Sequence, residues 1–198
     1  MSGHSKWATI KRAKGVADVK RGKVFSKLAK EISTAARRGG SDPDSTPTLR
    51  SAIEKAHSYN MPKENIERAT ATASSAQALE EGVYEGYGPM GTAFMVKILT
   101  DNKNRTLSEV RRIFENHGGK MGEAGSVAYI FGRKTENASS PEAGVYLSDP
   151  TFTIPVSDPE MAKKVLALAE ALDEQDDVQD VYSNFDIPED LLEQLSNL

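Results

Sequence analysis

At 198 residues, 38% hydrophobic and 27% charged, the chain has the composition of an ordinary globular protein, long enough for one large domain or two small ones. No run approaches the roughly 18 apolar residues that a membrane-spanning helix needs, and the N-terminus lacks the apolar core of a secretory signal. The absence of cysteine excludes disulfides, thiol catalysis and thiolate metal sites, so the expected location is cytoplasmic. The formal charge of −4 hides a division: residues 1–72 hold 15 Lys or Arg against 7 Asp or Glu, and residues 73–198 hold 10 against 22. A chain divided in this way points to a polyanionic partner for its first part.

The basic character is densest at the start, where residues 1–38 carry eleven Lys or Arg against Asp18 and Glu31. Residues 3–22 read as an irregular arm with Lys6, Lys11, Arg12, Lys14, Lys20 and Arg21 around Trp7, loosened by Gly15 and Gly22. Such a set of cations with one aromatic fits phosphate neutralisation plus base stacking. Trp7 is equally compatible with anchoring the arm on a core. In residues 23–38 the apolar positions Phe25, Leu28, Ile32, Ala35 and Ala36 recur at helical spacing, and Gly39 and Gly40 end the pattern. Lys23, Lys27, Lys30 and Arg37 share a second face of that helix and form a basic ridge.

A second helix is expected from Thr46 as cap and Pro47 at its first position to a stop at Asn60, with Leu49, Ala52, Ile53 and Ala56 inward. A third begins at Pro62, with Glu64 in its first turn. Residues 1–73 thus form a basic helical domain with an N-terminal arm, and the Ser, Gly and Pro of residues 74–91 read as a linker.

From residue 92 the pattern changes. TAFMVKILTD alternates as a strand with one buried face, and Thr106 with Glu109 is a capping box opening a helix that runs to Gly118. SVAYIF and TFTIPV read as strands, Ser157 with Glu160 opens another helix, and VQDVYSNF closes as a strand. The predicted class is α+β: an N-terminal helical bundle followed by a ferredoxin-like βαββαβ sandwich over residues 92–186, with an acidic tail at 187–198.

Other motifs carry less chemistry. Asn102, Asn104 and Arg105 precede a helix and are secondary candidates for gripping phosphate, against a reading as turn and cap residues. GYGPMG and GGKMGEAGS lack the spacing of phosphate-binding loops and read as turns. His4, His57 and His117 lie far apart, His117 reads as structural, and Asp173–Asp177 read as a solvated turn, so no metal site is expected. No nucleophile, positioned carboxylate pair or cofactor motif stands out, which predicts a protein that is not an enzyme and takes no cofactor or small-molecule substrate.

Five blocks are more specific: GHSKWATIKRAKGVADVKRGKVFSKLAKEI, NMPKENIERA, YEGYGPMGTAFMVKILTDNKNRTLSEVRRIF, GGKMGEAGSVAYIF and DDVQDVYSNF. Each resembles the corresponding block of the YebC family, which includes bacterial transcriptional regulators and a mitochondrial translational activator. The resemblance implies an N-terminal helical domain and two α/β domains, the third inserted in the second. Here only about twenty residues, the loop 132–151, stand where the family places that insertion. The resemblance also implies action on gene expression through nucleic acid. A flexible arm and a basic ridge supply phosphate contacts but no recognition helix, which favours ribosomal RNA over a DNA operator. The expected contact residues are His4, Lys6, Trp7, Lys11, Arg12, Lys14, Lys20, Arg21, Lys23, Lys27 and Lys30. DNA-binding transcriptional control is the alternative, and an acidic protein-interaction module a third reading.

Overall fold

The computed structural model describes Ile10 and residues 18–74, 78–131, 133–134, 145–146 and 150–196. These residues form two compact units, one from 18–81 with 99–103, the other from Ile10, 82–98 and the residues after 103.

The first unit is helical. Helix α1 spans Asp18–Gly39, α2 Pro47–Ser58 and α3 Lys63–Ala71. The apolar stripe of α1 does what its spacing dictates: Leu28, Ile32 and Ala36 are buried with Leu49, Ala52 and Ala56 of α2 and Ile66 and Ala69 of α3. The helix begins at Asp18, so residues 18–22 of the expected arm are helical. Gly40 ends α1 at φ +99°, its N–H donating to the Ala36 carbonyl at 2.9 Å. Thr46 occupies the N-cap position of α2 and Pro47 its first turn, but the Thr46 hydroxyl donates to the Gly39 carbonyl at 2.7 Å and makes no cap. A Cβ on Gly39 would collide with Thr46, which is why the chain turns here on glycine. Asn60, in the left-handed region at φ 56°, stops α2 where expected.

The second unit is α+β. Its main sheet has the order β3-β1-β2-β7, built from β1 (Glu80–Tyr87), β2 (Ala93–Thr100), β3 (Lys120–Met121) and β7 (Val178–Ser183). β1 pairs antiparallel with β3, and β2 with β7 from Phe94↔Ser183 to Ile98↔Val178. Helices α4 (Lys103–Asn116) and α6 (Pro159–Glu174) supply Val110, Phe114, Val165, Leu168 and Leu172 to the core against Phe94, Val96 and Ile98. Phe94 meets Phe114 edge-on at 6.1 Å and Phe185 at 6.2 Å between ring centroids. Short pairs complete the unit: β4 (Arg133–Lys134) with β5 (Val145–Tyr146), and β6 (Ile154–Pro155), parallel to β8 (Phe185–Asp186).

The α+β class and the helical bundle stand, with local corrections. The expected linker at 74–91 contains β1. The expected strand SVAYIF is the helical turn α5 (Ala128–Phe131), and only Ile154–Pro155 of TFTIPV is strand. β2 is buried on both faces, because α5 covers Ala93 and Met95 while the helices cover the other side. The α6 cap is Asp158, whose carboxylate accepts from the Met161 N–H at 2.8 Å; Ser157 stands one residue too early. Residues Glu189–Ser196 of the acidic tail form helix α7, which buries Leu191 in the main core. Ile10, read as part of the arm, is helical and packs into that same α/β core, 7% exposed.

Candidate nucleic-acid interface

Helix α1 carries Lys20, Arg21, Lys23, Lys27, Lys30, Arg37 and Arg38 against Asp18 and Glu31. Because Leu28, Ile32 and Ala36 face the bundle, the Lys23, Lys27, Lys30 and Arg37 row falls beside the buried stripe: Lys23 and Arg37 are exposed, Lys27 and Lys30 half-buried. Half-burial of a lysine is the geometry in which the aliphatic stem covers apolar surface and the ammonium reaches water. Arg37 and Arg38 also sit in the last turn, where the helix dipole favours cations. Glu31 is held by Lys55 of α2, Nζ to Oε2 at 3.0 Å, and Arg38 pairs with Glu81 at 3.0 Å.

Elsewhere in the helical unit cations are turned to structural use. Arg50 folds back on the α1–α2 loop, donating to the Asp44 carbonyl at 2.6 Å and the Pro43 carbonyl at 3.2 Å. Lys63 pairs with Glu67 at 3.5 Å along α3.

The placement of the predicted site residues divides accordingly. Lys23, Lys27 and Lys30 are brought together on α1, which also contains Lys20 and Arg21. His4, Lys6, Trp7, Lys11, Arg12 and Lys14 lie outside the described residues. The secondary candidates do not form a cluster of their own. The Asn102 N–H donates to the Thr100 hydroxyl at 3.0 Å, the Asn104 carbonyl accepts from Ser108 at 2.9 Å, and Arg105 reaches Asp177 at 2.8 Å. Thr106 is no cap, since α4 begins at Lys103 and the Thr106 hydroxyl donates to the same Asp177 oxygen at 2.8 Å. Asp177, expected in a solvated turn, is therefore a buried clasp between α4 and the start of β7. The Nδ1 of His117 lies 2.8 Å from the Ile113 carbonyl, the structural role read from sequence. Among the described residues no group of three or more His, Asp or Glu is placed to hold a metal ion, and no helix is long and apolar enough to cross a membrane.

One structural carboxylate was not legible. Glu85 on β1, 7% exposed, accepts from the N–H groups of Gly125 (2.7 Å), Val127 (2.7 Å) and Ala128 (3.0 Å). Three charge-assisted bonds from one carboxylate fix the turn that opens α5. Nothing local in VYEGY signals this, because the partners lie about forty residues along the chain.

The comparisons with known proteins agree with one another. Residues 5–76 match the model of the TACO1/YebC protein N-terminal domain, and residues 79–147 match that of the TACO1/YebC second and third domain. A probable transcriptional regulatory protein of Dictyoglomus turgidum is 44% identical over 250 residues, covering 99% of this chain and all of the relative. Another of that description, from Treponema pallidum, is 43% identical over 246 residues, covering 97% of this chain and all of the relative. Both alignments are longer than the 198 residues of this chain, so each relative carries positions that have no counterpart here. The crystal structure of a conserved hypothetical protein from Aquifex aeolicus superposes with a TM-score of 0.72 at 39% identity, covering 87% of this chain and 93% of that one. With two models of the family matched in order over residues 5–147 and the sequence similar to relatives along nearly its whole length, the chain belongs to the TACO1/YebC family.

Proposed function

We propose that this chain is a non-enzymatic regulator of gene expression that binds nucleic acid through its basic helical unit and N-terminal arm, with ribosomal RNA as target and the cytoplasm as location. The observation that carries this reading is the α1 ridge. Lys23, Lys27, Lys30 and Arg37 on one helix, with Glu31 of that helix already neutralised by Lys55, give a positive surface on a folded base. Such a surface neutralises phosphates without reading bases. The relatives' description as transcriptional regulatory proteins supports the broader part, a role in gene expression. The 132–151 segment then stands in place of the family's inserted domain, and the positions left unmatched in the longer relatives support this.

The same description favours a second reading, DNA-binding transcriptional control using the same cations. The two differ in what salt does to binding. A ribosome-directed factor binds duplex DNA weakly and with a steep salt dependence, whereas a promoter-specific one keeps a footprint against nonspecific competitor. Crosslinking in cells followed by sequencing of the bound nucleic acid separates them. Ribosomal RNA recovered with wild type and lost with Lys23→Gln/Lys27→Gln/Lys30→Gln supports the first, promoter DNA the second. Recovery of neither overturns both.

A further inference from the structure

The two glycine-rich stretches that read as turns, GYGPMG and GGKMGEAGS, are brought together across thirty residues of sequence. Tyr87, Gly88 and Gly91 from the β1–β2 turn, with Gly118, Gly119 and Lys120 from the α4–β3 turn, line an open cleft of about 440 Å³. The approach is backbone to backbone: a Cβ on Gly119 would stand 2.6 Å from the Tyr87 carbonyl oxygen and 3.2 Å from the Gly88 Cα. Only glycine permits it.

The walls are not a phosphate nest. The N–H of Gly88 is spent on the Thr92 carbonyl (2.7 Å), that of Gly91 on Gly88 (3.1 Å), that of Gly118 on Glu115 (3.2 Å) and that of Gly119 on Phe114 (2.8 Å). An anion in the cleft finds no glycine donor there, and among the described residues of the lining the charged one is Lys120, which is exposed. What the walls present is peptide planes, glycine methylenes and an ammonium. A flat group with an apolar face and donors at its edge, attached to an anion, matches all three, and a nucleotide is such a group.

The β1–β2 turn adds a second sign. Met90, between the two glycines of that turn, is held at φ 59°, ψ 15° with half its surface exposed. A methionine in the left-handed region adopts a sparsely populated conformation, and its own burial does not offset the cost. Met90 belongs to the turn that supplies Gly88 and Gly91 to the cleft, and an exposed thioether is a polarizable surface for an aromatic ring.

We infer that this cleft is itself a nucleic-acid contact, taking one unpaired nucleotide, its base against the glycine walls and Met90 and its phosphate at Lys120. The inference rests on the nucleic-acid reading proposed above.

The test uses the full chain, oligouridine and oligothymidine of equal length each carrying one 2-aminopurine, and fluorescence to follow both affinity and base environment. Lys120→Gln is expected to weaken binding about fivefold and to flatten the log–log salt dependence by about 0.7. Met90→Asn, a residue that tolerates the left-handed region, is expected to weaken binding about threefold and to abolish the change in 2-aminopurine emission, with Tm no lower than wild type. Oligouridine and oligothymidine affected alike assign the cleft to any single strand, and an effect on one alone assigns it to RNA or to DNA. If both variants bind as wild type while Lys23→Gln/Lys27→Gln/Lys30→Gln does not, the cleft inference falls and the proposed function stands. If wild type binds neither oligonucleotide, both fall.

Discussion

The two units solve the problem of burial differently. Among the described residues, half of the ten buried in the apolar core of the helical unit are alanines, and none of the ten is aromatic. The main α/β core buries Phe94, Phe114 and Phe185 among long aliphatics, and a second cluster, Ala93, Met95, Val127, Ile130 and Phe131, fills the opposite face of the sheet. Small side chains bring α1, α2 and α3 close together but bury little area each, at roughly 25 cal/mol per Å² of apolar surface. The helical unit thus has a thin core beneath the cations of α1, while the α/β unit has a thick core and an excess of acid. The difference teaches that the cations of α1 rest on a core of small side chains, whereas the acidic unit is held by aromatic packing.

The largest expected effect tests that contrast directly. Phe94→Ala removes a fully buried ring from between Phe114 and Phe185 and should cost about 3–5 kcal/mol in urea unfolding. Peptide-resolved hydrogen exchange should place the lost protection in β2, α4 and α6. Ile32→Ala, at the fully buried centre of α1, should cost about 2–4 kcal/mol, with lost protection in α1 to α3. The contrast is broken if Phe94→Ala exposes the helical unit first.

A smaller effect tests how the α/β unit holds its second face. Glu85→Ala leaves the N–H groups of Gly125, Val127 and Ala128 without their acceptor and should cost about 2–3 kcal/mol. Because α5 is only four residues long, it has no stability of its own, and exchange at Ala128–Phe131 should rise before any other element is affected.

These sites also mark where the sequence is legible and where it is not. The inward stripe and outward cations of α1 follow from a period that needs no other part of the chain, so both were readable at Leu28, Ile32, Lys23 and Lys27. SVAYIF has the β-branched and aromatic content of a strand, and its helical turn is imposed by Glu85 from outside the segment. β1 was hidden by Gly82 and Gly86. Gly86 is there because a Cβ would lie 2.8 Å from both the Lys120 carbonyl oxygen and the Phe114 ring, a constraint that only the fold creates. Thr106 with Glu109 has the letters of a capping box, but Asp177, 71 residues away, takes the hydroxyl. Local pattern gave the bundle and its charge, and long-range polar partners decided the rest.

The smallest expected effect separates charge kept for stability from charge kept for binding. Glu31 and Lys55 are about a quarter exposed and 3.0 Å apart. A pair so accessible to water contributes under about 1 kcal/mol, since solvent screens the attraction and two long side chains must be held. Glu31→Gln should therefore lower stability by less than about 1 kcal/mol. It also removes a negative charge from the helix that carries Lys23, Lys27 and Lys30. Oligonucleotide affinity should rise about twofold at low salt and return to the wild-type value as salt shortens the range of the field to a few ångströms. Opposite signs for stability and affinity in one substitution are what a charge-presenting unit requires. A fall in both would mean that Glu31 and Lys55 hold the ridge in shape, and that the packing of the helical unit depends on its ions more than on its alanines.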